Sequence, residues 1–223
     1  MGKPANLPPN LPDRMETNVP KKHWEAIYQT KQADQVSWTQ IIPATSLAFI
    51  QQAQLPKSAR IIDIGGGDSH LVDFLLDEGY EHISVLDISE AALSRAKKRL
   101  GNRADRVEWI VSDITEYRPK SLFDFWHDRA AFHFMNTADQ ISRYLATARL
   151  GVVPNGYVTI GTFSESGPEK CSGLPVRRYS EQTLTNELLR GFRKIRCITE
   201  DHITPFQTSQ NFLFCSFQRS GLN

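Results

Sequence analysis

Cysteine is scarce in this chain: Cys171, Cys197 and Cys215 lie far apart, odd in number and without a CxxC pair. That argues against a disulfide framework or a zinc site, and the three read as reduced thiols with no metal expected. Long apolar runs are missing too. None approaches the roughly 18 residues needed to span a bilayer, so no transmembrane helix is expected. The N-terminus lacks the apolar stretch of a secretory signal, which leaves a cytoplasmic protein as the expectation. Neither sign of charge dominates: 26 basic and 25 acidic residues give a formal net charge of +1. Nucleic-acid binders usually show a basic face, and this balance announces none. The short cluster Lys97-Lys98-Arg99 reads as a solvated helix surface.

What is present suits a soluble globular protein: 223 residues, 40% hydrophobic and 23% charged. Residues 1–20 hold five of the twelve prolines in a polar context and read as a flexible tail. Residues 21–55 turn helical, punctuated by Trp24, Tyr28, Trp38 and Phe49, and form a cap ahead of a core over 56–223. In that core, short apolar runs at 59–64, 82–87, 107–112, 122–127 and 156–162 read as strands. Helical patterns fall at about 69–79, 90–100, 137–150 and 180–190. Ser89 is a good N-cap and Gly101 a good stop for the second of these. Strands alternating with helices imply an α/β fold, a Rossmann-like, doubly wound and mostly parallel sheet. The last two runs, "FRKIRCITEDHITP" and "QNFLFCSFQR", have no helix between them and should pair antiparallel. One domain with a tail and an N-terminal helical cap is the expectation.

The turn Asp63-Ile64-Gly65-Gly66-Gly67-Asp68-Ser69 follows the first strand. Three consecutive glycines exceed what a tight strand-to-helix turn needs. A dinucleotide fingerprint requires G-x-G-x-x-G, and His70 occupies its third glycine position. A P-loop fails because no Gly-Lys-Ser/Thr follows. Acids recur instead: Asp63 before the glycines, Asp87 ending the second strand and Asp113 following the third. In a doubly wound sheet all three lie along the carboxyl edge, where ligands bind. Acids there suit ribose hydroxyls, an amine and a cationic centre, and disfavour a pyrophosphate.

"DIGGGDS", "VLDIS" and "SDI" resemble the first three motifs of class I S-adenosylmethionine-dependent methyltransferases, over roughly residues 23–219. The resemblance implies S-adenosyl-L-methionine as cofactor. Gly65, Gly66 and Gly67 would lie against its methionine end and Asp87 would take the ribose hydroxyls. Asp113 would reach the adenine amine, with Ile88 and Ile114 beside the two acids. Trp24, Tyr28 and Trp38 read either as core aromatics at helical spacing or as a cap over the cofactor, where an aromatic face suits a sulfonium.

The fourth strand ends in "FDFWHDRAAFHF", where such enzymes place groups that face the acceptor. No Asp/Asn-Pro-Pro-aromatic motif or Pro-Cys nucleophile occurs there, which argues against DNA-base methylation. Asp128-Arg129-Ala130 is similar to the Asp-Arg/Lys-Gly stretch of thiopurine-methyltransferase-like enzymes and of a group of protein-lysine methyltransferases. The fuller string, with "CSGLPVRRYS" and the Trp24–Trp38 pattern, resembles a bacterial branch of the family. Candidate catalytic groups are His127, Asp128, Arg129 and His133. The imidazoles would serve as bases if the acceptor must lose a proton, Arg129 pairing partly with a protein carboxylate. His133 also reads as a core histidine, and Asp128 with Arg129 as a structural ion pair, or Arg129 as the group that holds an anionic acceptor. His202, Thr204 and Pro205 read as a structural turn, and residues 163–179 as a lid loop. A small-molecule acceptor is preferred; the alternatives are a protein lysine, or a non-catalytic binder built on the same fold.

Overall fold

The structure, a computed structural model, describes residues 18–221. Most of the expected tail lies outside them. Its last part does not stay extended, because helix α1 already runs over Asn18–Thr30. Helix α2 (Ala44–Gln52) follows and buries Leu47, Phe49 and Ile50.

Strand β1 (Arg60–Ile64) is buried almost throughout, as a central parallel strand with both faces covered must be. Then come α3 (Leu71–Asp77), β2 (His82–Asp87), α4 (Glu90–Leu100), β3 (Val107–Val111) and β4 (Phe123–Arg129). Ser89 caps α4 by accepting from the Ala92 amide at 3.2 Å, and Gly101 ends it at a φ of 58°. Helix α5 (Ala138–Gly151) opens on a Thr137/Gln140 capping box and leads into β5 (Val152–Phe163). The excursion after β5 contains a two-rung hairpin, β6 (Lys170–Cys171) and β7 (Leu174–Pro175). Helix α6 (Glu181–Leu188), β8 (Phe192–Ile203) and β9 (Ser209–Arg219) complete the described chain.

The seven-stranded sheet has the order β3-β2-β1-β4-β5-β9-β8. β3, β2, β1, β4 and β5 are parallel; β9 joins β5 and β8 antiparallel. The chain order reverses between β1 and β4, and at such a switch point two adjacent strand ends diverge into a crevice.

The fold corrects the sequence reading at three points. Cys197 and Cys215 form a disulfide, because the β8–β9 hairpin sets them directly opposite each other across 18 residues of sequence. Cys171 alone stays a free thiol, so the reading of all three cysteines as reduced fails. His202 lies on β8 and not in a turn; its Nε2 bonds the Ser37 carbonyl oxygen at 2.7 Å. Asp128 and Arg129 form no ion pair. Asp128 is fully buried on the α5 face of the sheet, where its Oδ2 accepts from Tyr144 Oη at 2.6 Å. Its Oδ1 accepts from the amides of Ala131 (3.0 Å) and Phe132 (3.1 Å). Tyr144 Oη in turn accepts from Trp126 Nε1 at 3.1 Å, so every polar side-chain atom of this network has a partner.

That network generates a test. Tyr144→Phe leaves a buried indole N–H unpaired and one carboxylate oxygen without its donor, at a cost of about 1–3 kcal/mol. Denaturant unfolding should show a loss in that range with an unchanged m-value.

Candidate functional site

A cavity of about 290 Å³ opens along the carboxyl edges of β1, β2, β3 and β4. Ile64, Leu86, Ile88 and Ile114 give it apolar walls, and Asp87 and Asp113 stand at successive strand ends. Trp24 and Tyr28 from α1, together with Trp38, line it from the cap. Cys171, Leu174 and Pro175 of the β6–β7 hairpin line it at the other end. A second cavity of about 60 Å³ lies beside the glycine turn and shares Tyr28, Trp38, Gly65 and Arg129 with the first.

The glycines answer first to the protein itself. Gly65 and Gly67 take left-handed φ values of 65° and 44°, which L side chains rarely adopt. A Cβ at Gly66 would sit 2.6 Å from Asp63 Oδ2, and one at Gly67 would sit 2.9 Å from Asp87 Oδ2 and 3.0 Å from the Tyr28 hydroxyl. The turn is thus tight because two carboxylates and a cap tyrosine crowd it. Arg99 holds its far side: Nη2 donates to the Ser69 carbonyl at 2.7 Å and to Asp73 at 2.8 Å, and Nη1 pairs with Asp68. Arg99 is therefore a clamp on the ligand turn and no idle member of a solvated basic face.

Asp87 is buried, with Oδ1 accepting from the Ser89 amide at 2.8 Å. Burial pushes its carboxyl up to about 7, opposed by the amides of Ser89, Gly67 and Ile88 and reinforced by Asp63. Asp113 is half-buried; its Oδ1 accepts from the Thr115 amide (2.8 Å) and hydroxyl (2.7 Å). Its Oδ2 makes no hydrogen bond among the described residues.

Asp63 does not face the larger cavity. Its Oδ1 bonds His127 Nδ1 at 2.7 Å, and His127 Nε2 bonds Ser46 Oγ at 2.8 Å, all three buried beside the smaller cavity. Both ring nitrogens of His127 are thereby occupied. His133 is fully buried and lines neither cavity; its Nδ1 accepts weakly from the Phe163 amide at 3.4 Å. Burial and the nearby Arg129 push it down to about 3, so it is a neutral core imidazole at physiological pH. Of the four candidate catalytic residues, only Arg129 lines the larger cavity. Its neighbour Ala130 adopts a φ of 68°, the backbone that favours the glycine of the similar motifs.

Sequence reading missed Glu25. This α1 side chain accepts from Ser89 Oγ at 2.8 Å and from the Ala91 amide at 3.2 Å, fastening the cap to the first turn of α4. A lone glutamate in a helix carries no signal of a partner 64 residues away.

A crevice at a switch point, floored by apolar strand ends and edged by two acids, is the place where open α/β sheets bind ligands. Residues 61–156 match the family model described as a methyltransferase domain, and the chain shares the fold of solved methyltransferases. It is similar in structure to the Burkholderia thailandensis 1,6-didemethyltoxoflavin-N1-methyltransferase, solved with S-adenosylhomocysteine bound. The TM-score is 0.70 at 19% identity, covering 97% of this chain and 94% of that one. A protein solved in connection with conversion of a disulfide bond into a thioacetal group during echinomycin biosynthesis superposes with a TM-score of 0.73 at 16% identity. That match covers 91% of this chain and 94% of that one. In sequence, the chain is 25% identical over 131 residues to the Mus musculus eEF1A lysine and N-terminal methyltransferase. The stretch is 56% of this chain and 18% of the mouse protein, so the chain spans less than a fifth of that relative's length.

Removing the α1 anchor should loosen the aromatic wall before it unfolds the protein. Glu25→Ala is expected to cost about 1 kcal/mol of stability, the value of a lost cap interaction. It should also weaken S-adenosylhomocysteine binding several-fold by calorimetry. An affinity unchanged within twofold would show that the cap's position does not depend on this contact.

Proposed function

We propose that this chain transfers a methyl group from S-adenosylmethionine to a small molecule. The observation that carries the cofactor reading is the pair of carboxylates, Asp87 and Asp113, at successive strand ends of one apolar cavity. Asp87 would accept from the ribose hydroxyls and the free Oδ2 of Asp113 from the adenine amine. Gly65 would border the methionine end, and Trp24, Tyr28 and Trp38 would offer aromatic faces to the cation. The cofactor, when bound, supplies an activated methyl group on a sulfonium.

The protein's own share is then alignment and exclusion of water. No imidazole lines the larger cavity, and burial pushes the Cys171 thiol up to about 11, so neither supplies a ready base at its hairpin end. The acceptor reading rests on the walls and the charge there. Cap and hairpin enclose the cavity from two sides, which suits a small molecule. The buried guanidinium of Arg129 disfavours the ammonium of a lysine acceptor.

Radiolabelled methyl transfer from S-adenosylmethionine into a cell extract, followed by size separation, tests the acceptor class. Label is expected in the small-molecule fraction. Label on protein would favour the lysine reading, and cofactor binding without transfer would favour a non-catalytic role.

The cofactor half has a pH signature. In the free protein the Asp87 carboxyl stands at about 7, above the ordinary value of about 3.9. Protonation of this group therefore stabilises the free fold at low pH, and that contribution is lost as pH rises through about 7. Ligand hydroxyls need the deprotonated form, so affinity is greatest above that pH and falls as pH drops through it. Calorimetry should show S-adenosylhomocysteine binding weakening by up to tenfold per pH unit below about 7, and Asp87→Asn should flatten the profile. A flat wild-type profile between pH 6 and 8 would exclude Asp87 as the acceptor of those hydroxyls.

A further inference from the structure

Arg129 has two buried donors without a partner, more than any other charged side chain among the described residues. It leaves the carboxyl end of β4 on the face shared with His127, and its guanidinium lies 4.8 Å from the Phe212 ring centroid. Nη1 donates to the Trp38 carbonyl oxygen at 2.8 Å. Nε and Nη2 are buried and have no partner, and no carboxylate among the described residues forms an ion pair with it. Burial lowers the guanidinium to about 10, which leaves it charged at neutral pH. A buried cation with two idle donors is costly unless something fills them. Both idle donors sit on the fork that an arginine presents to a carboxylate.

Position says what that something is. Arg129 borders both cavities, and β1 separates its strand from the β2 and β3 ends that carry the two acids. Ala130, Phe134, Cys171 and Leu174 of the larger cavity carry no anion at neutral pH, and the carboxylates whose charge reaches Arg129, Glu200 and Asp63, lie outside that cavity. The glycine-turn side has a separate cation, Arg95, which lines only the smaller cavity and makes no hydrogen bond among the described residues. If the cofactor's own carboxylate lies against the glycine turn, Arg95 is the cation placed to meet it. A sulfonium beside Arg129 would then put two cations together in a low-dielectric cavity, and an anionic acceptor between them relieves the repulsion.

We infer that the methyl acceptor is a small carboxylic acid whose carboxylate pairs with the guanidinium of Arg129. This deepens the methyltransferase reading and rests on it. Arg129 is thereby a residue that sets acceptor specificity, and its charge selects against neutral and cationic analogues.

The test works with an unidentified acceptor. A small-molecule extract is fractionated by anion exchange at pH 8, and each fraction is assayed for methyl transfer from radiolabelled S-adenosylmethionine by the wild-type protein. Acceptor activity is expected in the retained fraction. It should be abolished when that fraction is treated with carbodiimide and methylamine, which turns carboxylates into amides. With the retained fraction as substrate, Arg129→Gln should raise the apparent KM at least tenfold, beyond the several-fold loss of S-adenosylhomocysteine affinity expected from releasing the Trp38 contact. Arg129→Lys, which keeps charge but loses the fork, gives an intermediate KM and serves if the glutamine variant fails to fold. Acceptor activity that flows through the exchanger, or that survives amidation, overturns the inference. So does a loss of S-adenosylhomocysteine affinity in Arg129→Gln as large as the rise in KM, which would assign the cation to the cofactor. If the wild-type protein does not bind S-adenosylhomocysteine at all, the methyltransferase reading itself falls. If it binds and only the acceptor arms fail, that reading stands.

Discussion

The buried chain Asp63–His127–Ser46 constrains more of this molecule than any other contact. Asp63 and His127 are register partners on β1 and β4, the two strands that flank the switch point. Their 2.7 Å contact locks the strand ends that define the crevice, and the 2.8 Å contact to Ser46 ties α2 down onto them. A buried carboxylate and imidazole persist only when each polar atom has a partner, and removing one partner leaves the other charge or dipole stranded. The glycine turn inherits its composition from the same chain, since Asp63 Oδ2 occupies the space a Cβ at Gly66 would need. The ligand loop is glycine-rich because the sheet beneath it keeps its polar groups inside.

From that base the cap is fastened by polar contacts to three separate elements. Glu25 reaches the start of α4, His202 of β8 bonds the Ser37 carbonyl oxygen, and Arg129 of β4 bonds the Trp38 carbonyl oxygen. Between these points, Trp24, Tyr28 and Trp38 pack edge-on, with Trp24–Trp38 and Tyr28–Trp38 centroids 5.6 and 6.2 Å apart. Trp24 also meets Phe134 beyond β4 at 5.0 Å. The two readings of these aromatics are therefore compatible, since they pack as core against one another while their remaining faces line a cavity. Apolar contact alone would let such a wall slide; hydrogen bonds with directional preference fix its height above the strand ends.

The parts legible in the sequence share one property: their signal lies within a short window. The run at 82–87 and the helix at 90–100 have the boundaries that apolar periodicity and the Ser89 and Gly101 signals gave them. The antiparallel last pair followed from two adjacent β-rich runs without a helix between. The misplaced residues all depend on partners far away in the chain. Asp63 was set beside the cofactor because it precedes glycines, but its partner lies 64 residues on. Asp128 looked like the mate of its neighbour Arg129, yet successive residues of a strand face opposite sides. It therefore meets Tyr144 on α5 while Arg129 meets the cap. The cysteine pair was hidden for the same reason, since only hairpin register brings positions 197 and 215 together.

Strand alternation also sorts the charges of β4 by use. Asp128 goes inward, where three donors hold it and make the turn after the strand rigid. His127 and Arg129 go to the opposite face, but only His127 finds partners for both of its nitrogens. The charges lining the larger cavity are consequently separated across the sheet, Asp87 and Asp113 at the β2 and β3 ends and Arg129 at the β4 end, with β1 between. A ligand that brings hydroxyls and an amine to the first end and a negative group to the second satisfies both. The reverse orientation would set anion against carboxylates and leave the guanidinium dry and unpaired. Charge layout, more than cavity shape, therefore fixes which way round a bound pair of molecules must lie.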